Sequence, residues 1–175
     1  MVAIAIIALL ATITIPNLWR MQPSYERKEF IAALNALTLY GKQNAITNYK
    51  LHQVSVDFDK KQIELLYDTG EKDTKGEIAY KPVASGYLNS VIPIPESLDI
   101  QNFYIDGTGF DEMAKFKGRK TGAVWFYIVP EGLAQEVVIN LLDTKNTLYN
   151  GKPRQVGLVL NPFTAQFKEY DSFQK

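Results

Sequence analysis

Met1-Val-Ala-Ile-Ala-Ile-Ile-Ala-Leu-Leu-Ala-Thr-Ile-Thr-Ile-Pro-Asn-Leu-Trp-Arg20 opens the chain, and every later element is read against it. No charged side chain precedes Arg20, and residues 2–15 are apolar apart from the hydroxyls of Thr12 and Thr14. At about 1.5 Å rise per residue, a helix through Trp19 would cover roughly 28 Å, close to the roughly 30 Å hydrocarbon thickness of a bilayer. Trp19 and Arg20 suit the end of such a helix, where an amphipathic ring and a snorkelling cation both reach headgroups. A cleaved secretory signal competes with this reading, but it wants a basic region first and small residues after, and here Trp-Arg-Met-Gln-Pro follows. A buried core helix also competes, but it should not be uniformly apolar for so long in so small a domain. The expectation is a membrane-spanning segment over residues 1–20, with Val2, Ile4, Ile6, Ile7, Leu9, Leu10, Ile13 and Ile15 packing against lipid. Pro16 removes one helical N–H and frees the carbonyl of Thr12, so the expectation is a kinked but continuous helix, with Pro16 ending the helix as the alternative.

Working outward, residues 24–50 carry Phe30, Ala33, Leu34, Leu37 and Ala45 near the 3.6-residue period. Glu26, Arg27, Lys28, Lys42 and Gln43 lie mostly elsewhere, so one side of the helix wants a core, with Phe30, Leu34 and Leu37 docking it onto a sheet. Pro23 is read as bending or restarting the helix, and Gly41 weakens its interior. After Lys50 the period changes to two. Val54, Val56 and Phe58 alternate with polar residues, Lys60-Lys61 turns the chain, and Ile63, Leu65 and Tyr67 complete a hairpin. A polar loop is expected over residues 68–76. Further strands are expected at 77–80, 100–105, 123–129, 136–142, 155–160 and 166–170, with Val91-Ile-Pro-Ile-Pro95 as an edge or a covering loop. One long helix followed by about eight short strands is α+β, mainly antiparallel, with residues 21–175 forming a globular head.

The whole chain has 175 residues, which excludes a large multidomain enzyme. With 46% hydrophobic and 12% aromatic residues it can bury a core. Cysteine is absent, which removes disulfides, thiolate metal sites and cysteine nucleophiles. Lys plus Arg and Asp plus Glu both total 19, leaving no bulk charge to attract a polyanion. His52 is the single histidine and has no partner at metal-ligand or triad spacing, which favours a structural or solvated role over a site. No nucleophile elbow, phosphate-binding loop or zinc-protease pattern occurs, so no catalytic residue, cofactor or metal is expected. Asp106-Gly-Thr-Gly-Phe-Asp-Glu112 gathers three carboxylates, but without the regular ligand spacing of a calcium loop it reads as an acidic turn. Lys115-Phe-Lys-Gly-Arg-Lys120 reads as a solvated hairpin, with phosphate contact as the sharper alternative.

Residues 2–16, Val-Ala-Ile-Ala-Ile-Ile-Ala-Leu-Leu-Ala-Thr-Ile-Thr-Ile-Pro, resemble the hydrophobic segment of type IV pilins and of the pseudopilins of type II secretion. Glu26-Arg-Lys-Glu-Phe-Ile-Ala-Ala-Leu-Asn-Ala-Leu37, leading into Val54-Ser-Val-Asp-Phe-Asp59, is similar to the minor pseudopilin H group (GspH/FimT-like). So are Trp125-Phe-Tyr-Ile-Val-Pro-Glu-Gly132, Val137-Val-Ile-Asn-Leu-Leu142 and Val156-Gly-Leu-Val-Leu-Asn-Pro-Phe-Thr164. The resemblance implies a pilin-like fold and a non-enzymatic subunit of a short fibre that assists protein export. Its partners would be other pseudopilins, the inner-membrane assembly platform and a secreted cargo. It also implies a single pass through a bacterial inner membrane with the head in the periplasm. The family's basic leader and early glutamate are not in this sequence, so the expectation is that it begins a few residues inside the mature segment. The rival is a type IV pilus minor pilin that takes up DNA, with Lys117, Arg119, Lys120 and Arg154 on the phosphates; the zero net charge argues against it.

Overall fold

In the computed structural model the backbone is described for residues 2–74, 76–84, 89–111, 122–148 and 151–175, and side chains from residue 24 onward within these ranges, except at Phe110 and Asp111. Helix α1, Val2–Asn48, passes through both Pro16 and Pro23. The expected membrane segment lies outside the described side chains. Among the described residues no helix is long and apolar enough to cross a membrane. The helix stops because Tyr49 takes a left-handed conformation (φ 51°) and the Lys50 N–H reaches back to the Ala45 carbonyl at 3.3 Å, the closing bond of a Schellman cap.

Among the described residues ten strands follow, all paired antiparallel, in two sheets. The first runs β3 (Ile78–Pro82), β2 (Gln62–Lys72), β1 (His52–Asp57), β7 (Ala123–Ile128), with β4 (Val91–Pro93) also on β2. The second runs β10 (Gln166–Tyr170), β9 (Pro153–Asn161), β8 (Val137–Thr147), β5 (Leu98–Ile105), β6 (Thr108–Asp111). Period-two alternation sends Val54, Val56, Ile63, Leu65, Val124 and Phe126 inward from the first sheet. It sends Phe103, Ile139, Leu141, Val156, Leu158 and Phe167 inward from the second. The helix lays Phe30, Ile31, Leu34, Leu37 and Ala45 on this core and touches strands of both sheets. This is the α+β arrangement expected, with an N-terminal helix packed on antiparallel sheets.

Polar side chains fix the helix along the edge strand β10. Asn35 donates from Nδ2 to the Phe167 carbonyl at 3.2 Å and accepts the Phe167 N–H at 2.6 Å, so its carboxamide pairs as a strand residue would. Thr38 Oγ1 donates to the Ala165 carbonyl at 2.7 Å. Gly41 sits where helix and sheet approach closely. A Cβ there would lie 2.9 Å from Leu65 Cδ1 and 3.1 Å from Ile128 Cδ1, so the glycine read as a weak point of the helix is a packing requirement.

Strand boundaries differ from expectation where pairing outweighs hydropathy. The polar stretch after Tyr67 is the second half of β2, held to β3 through Asp68↔Tyr80 and Lys72↔Ile78 with a register shift between them. Val91–Pro93 is a short edge strand on β2, where the missing N–H of Pro93 leaves the ladder intact. The acidic turn is the two-residue hairpin of β5 and β6: Asp106 and Gly107 both have positive φ (49° and 73°), as a type I′ turn needs.

Candidate functional site

The head has two ends along the docked half of α1, and they are built differently. At the base, where the helix leaves the head, Ser24, Arg27 and Lys28 meet Arg154, Glu169 and Asp171 around a cleft of about 620 Å³. Arg27 was expected among the solvent-facing charges. It is buried, because it stands three residues before Phe30 and seven before Leu34 on the core stripe. Its Nη1 donates to Asp143 Oδ2 at 2.9 Å, and Asp143 is itself fully buried, sharing the inward parity of Ile139 and Leu141 on β8. Arg27 Nε lies 3.0 Å from Glu169 Oε1, an ion-pair contact without the angle of a hydrogen bond, so Glu169 adds charge balance and little direction.

More exposed pairs frame this cluster. Glu26 bonds Lys145 at 2.7 Å and accepts the Ser97 hydroxyl at 2.7 Å, which together hold its carboxyl below the usual range, Lys145 first. Arg154 pairs with Asp171, which raises the guanidinium and lowers the carboxyl. Beside the base a groove of about 320 Å³ runs between Phe30 and Ala33 of the helix and Val91 and Pro93 of β4.

At the far end of the helix the surface is apolar. Tyr49 and Phe163 are 74% and 72% exposed, and Ile46 on the last turns of α1 and Leu133 in the loop after β7 are exposed as well. The Lys42 ammonium donates to the Phe163 carbonyl and ties the β9–β10 turn to the helix. On the outer face of the first sheet Trp125, 44% exposed, donates its indole N–H to the Tyr127 hydroxyl at 3.0 Å, and Tyr127 lies 6.4 Å from Tyr80, ring centre to ring centre.

Of the residues singled out from the sequence, Phe30, Leu34 and Leu37 are all buried in the core cluster. The membrane-packing set and Pro16 belong to the part of α1 whose side chains are not described, and Lys117, Arg119 and Lys120 lie outside the described residues. Arg154 does not present a free cation, since Asp171 holds it. Asp106 spends its carboxylate on Gln135 Nε2 (2.7 Å) and the Glu136 N–H (3.1 Å), and among the described residues no three His, Asp or Glu side chains gather to hold a metal. His52 is buried, with Nδ1 2.9 Å from the Lys50 carbonyl, and burial lowers its pKa. The Arg27–Asp143 pair escaped sequence reading, although parity along β8 and the helical stripe both pointed to it.

A long N-terminal helix packed on antiparallel sheets is a pilin-like arrangement. The chain has a GspH-like minor pseudopilin fold. Two solved structures of the minor pseudopilin EpsH from the type 2 secretion system of Vibrio cholerae match it. One has a TM-score of 0.56 at 13% identity, over 86% of this chain and 99% of that one. The other has a TM-score of 0.53 at 12% identity, over 83% and 94%. No known family profile matches the sequence, and no curated protein is significantly similar to it.

Proposed function

We propose that the chain is a minor pseudopilin, a structural rather than catalytic subunit of a type II secretion pseudopilus that assists protein export across the outer membrane. The observation that carries this reading is a head of the minor-pseudopilin fold on a helix whose leading residues, up to Arg20, carry no charge. An apolar helix is stable in lipid or against similar helices and nowhere in water. Residues 1–20 therefore root the subunit in the bacterial inner membrane as a single pass and become filament core on assembly. In that role Val2, Ile4, Ile6, Ile7, Leu9, Leu10, Ile13 and Ile15 pack, and Pro16 sets the bend. Phe30, Leu34 and Leu37 transmit the position of this segment to the periplasmic head. Other pseudopilins and the assembly platform are the partners, and the exposed apolar end at Ile46, Leu133 and Phe163 is the lateral contact surface.

The test is expression with the genomic upstream codons in cells that carry a prepilin peptidase, followed by fractionation. A processed, membrane-bound product that cross-links to other pseudopilins is expected. A soluble, unprocessed chain overturns the reading.

A further inference from the structure

The last five residues follow β10 and turn back over the outer face of the second sheet. Their anchor is Asn140 on β8, which faces outward between the inward-facing Ile139 and Leu141 and is nevertheless only 1% exposed. Its carboxamide donates from Nδ2 to the Gln174 carbonyl at 2.8 Å and accepts the Gln174 N–H at Oδ1 at 2.9 Å. Directly across the ladder from Asn140 stands Gly157. A Cβ at Gly157 would lie 2.4 Å from the Ser172 carbonyl oxygen and 2.7 Å from Gln174 Cγ, so a side chain there would displace the tail.

An amide that bonds both main-chain groups of one residue, beside a position with no side chain, makes a slot shaped for an extended backbone. The same logic operates when a peptide adds to a sheet edge: main-chain hydrogen bonds supply the binding. The Gln174 side chain is not what the slot reads, since its Nε2 turns back to the Ser172 carbonyl and hydroxyl at 3.0 and 3.1 Å. Beyond Asn140, the tail is tied by the exposed Arg154–Asp171 pair, a contact that solvent screens. Every contact that seats the tail would be identical if it came from another chain, which is the condition under which exchange between copies costs little.

We propose that the Asn140–Gly157 slot is a binding site for an extended peptide main chain, filled in cis by residues 171–175 and open to the same residues of a second copy. Two variants of the 175-residue chain separate donor from acceptor. Gln174→Pro lacks the N–H that Asn140 accepts, so its slot is vacant and its tail cannot seat. Gly157→Ala closes the slot and frees a competent tail. A synthetic peptide of residues 170–175, titrated by NMR, should bind the Gln174→Pro chain saturably and leave the Gly157→Ala chain unchanged. The unmodified chain should bind it much more weakly, because its own tail competes at an effective concentration on the order of millimolar. Mixing the two variants should raise the average mass toward a heterodimer that neither variant forms alone.

Equal peptide binding by all three chains overturns the proposal, as does no association on mixing while both variants keep their circular dichroism. If Gly157→Ala unfolds, Asn140→Leu closes the slot in its place. A readout without any variant is hydrogen exchange at the Gln174 amide of the unmodified chain. Protection of about tenfold or more over the free peptide is expected, and free-peptide exchange overturns the seating of the tail.

Discussion

The docked half of α1 is finished in charge at one end and in hydrocarbon at the other. At the base, Arg27 and Asp143 are buried and paired, with Glu169 beside the guanidinium and the Asn146 N–H on the second oxygen of Asp143. At the far end Ile46, Tyr49 and Phe163 stand in water with no strand above them. A buried charge is costly unless paired, whereas an exposed ring costs the fold little. The base is therefore where the head is fragile, and the far end is where it is free to serve a partner.

Arg27→Ala should break the base most severely. It strands a buried carboxylate, for about 3–5 kcal/mol in chemical unfolding followed by circular dichroism. Replacing both partners, Arg27→Met with Asp143→Leu, should recover most of that loss, and a double variant as weak as the single one would contradict the pairing. Leu34→Ala, on the same stripe but wholly apolar, should cost about 2–5 kcal/mol through the cavity it leaves. Gly41→Val should cost about 1–3 kcal/mol, since its side chain meets Leu65 and Ile128 before the helix can settle on the sheet.

His52 sharpens the contrast through pH. Burial lowers its folded pKa below the ordinary value near 6.5, so the unfolded chain binds the proton first as pH falls. Its contribution to stability is complete above about pH 6.5 and declines as pH falls below it toward the lower folded value. Urea midpoints at pH 7.5 and 5.5 should differ for the unmodified chain and differ less for His52→Phe. That window lies above the range in which Glu26 and Asp171 take up protons, because both carboxyls are lowered. Phe163→Ser at the far end should leave unfolding within about 0.5 kcal/mol while reducing the cross-linking to other pseudopilins that the proposed function expects. A large loss of stability would make Phe163 part of the core instead.

Much of the fold was legible because two periodicities carry it. The helical stripe through Phe30, Leu34 and Leu37 and the alternation through Val54, Val56, Ile63 and Leu65 both appear in the core as read. What escaped depends on pairing across the chain. Residues 68–72 look like a loop by hydropathy and become strand only because β3 supplies the partner. Arg27 looks solvent-facing until Asp143, 116 residues away, is placed opposite it. Gly41 and Gly157 serve the approach of other segments, a need that no local pattern displays.

The carboxamide of Asn35, lying along β10, has a consequence for life among many copies. An uncovered outermost strand offers a ladder of vacant donors and acceptors onto which any neighbour can zip. By occupying both groups of Phe167, with Thr38 taking the Ala165 carbonyl, the helix blunts that rim before a second molecule can reach it. Copies brought close together would then find this part of the border already taken, and sheet-to-sheet aggregation would start less readily there.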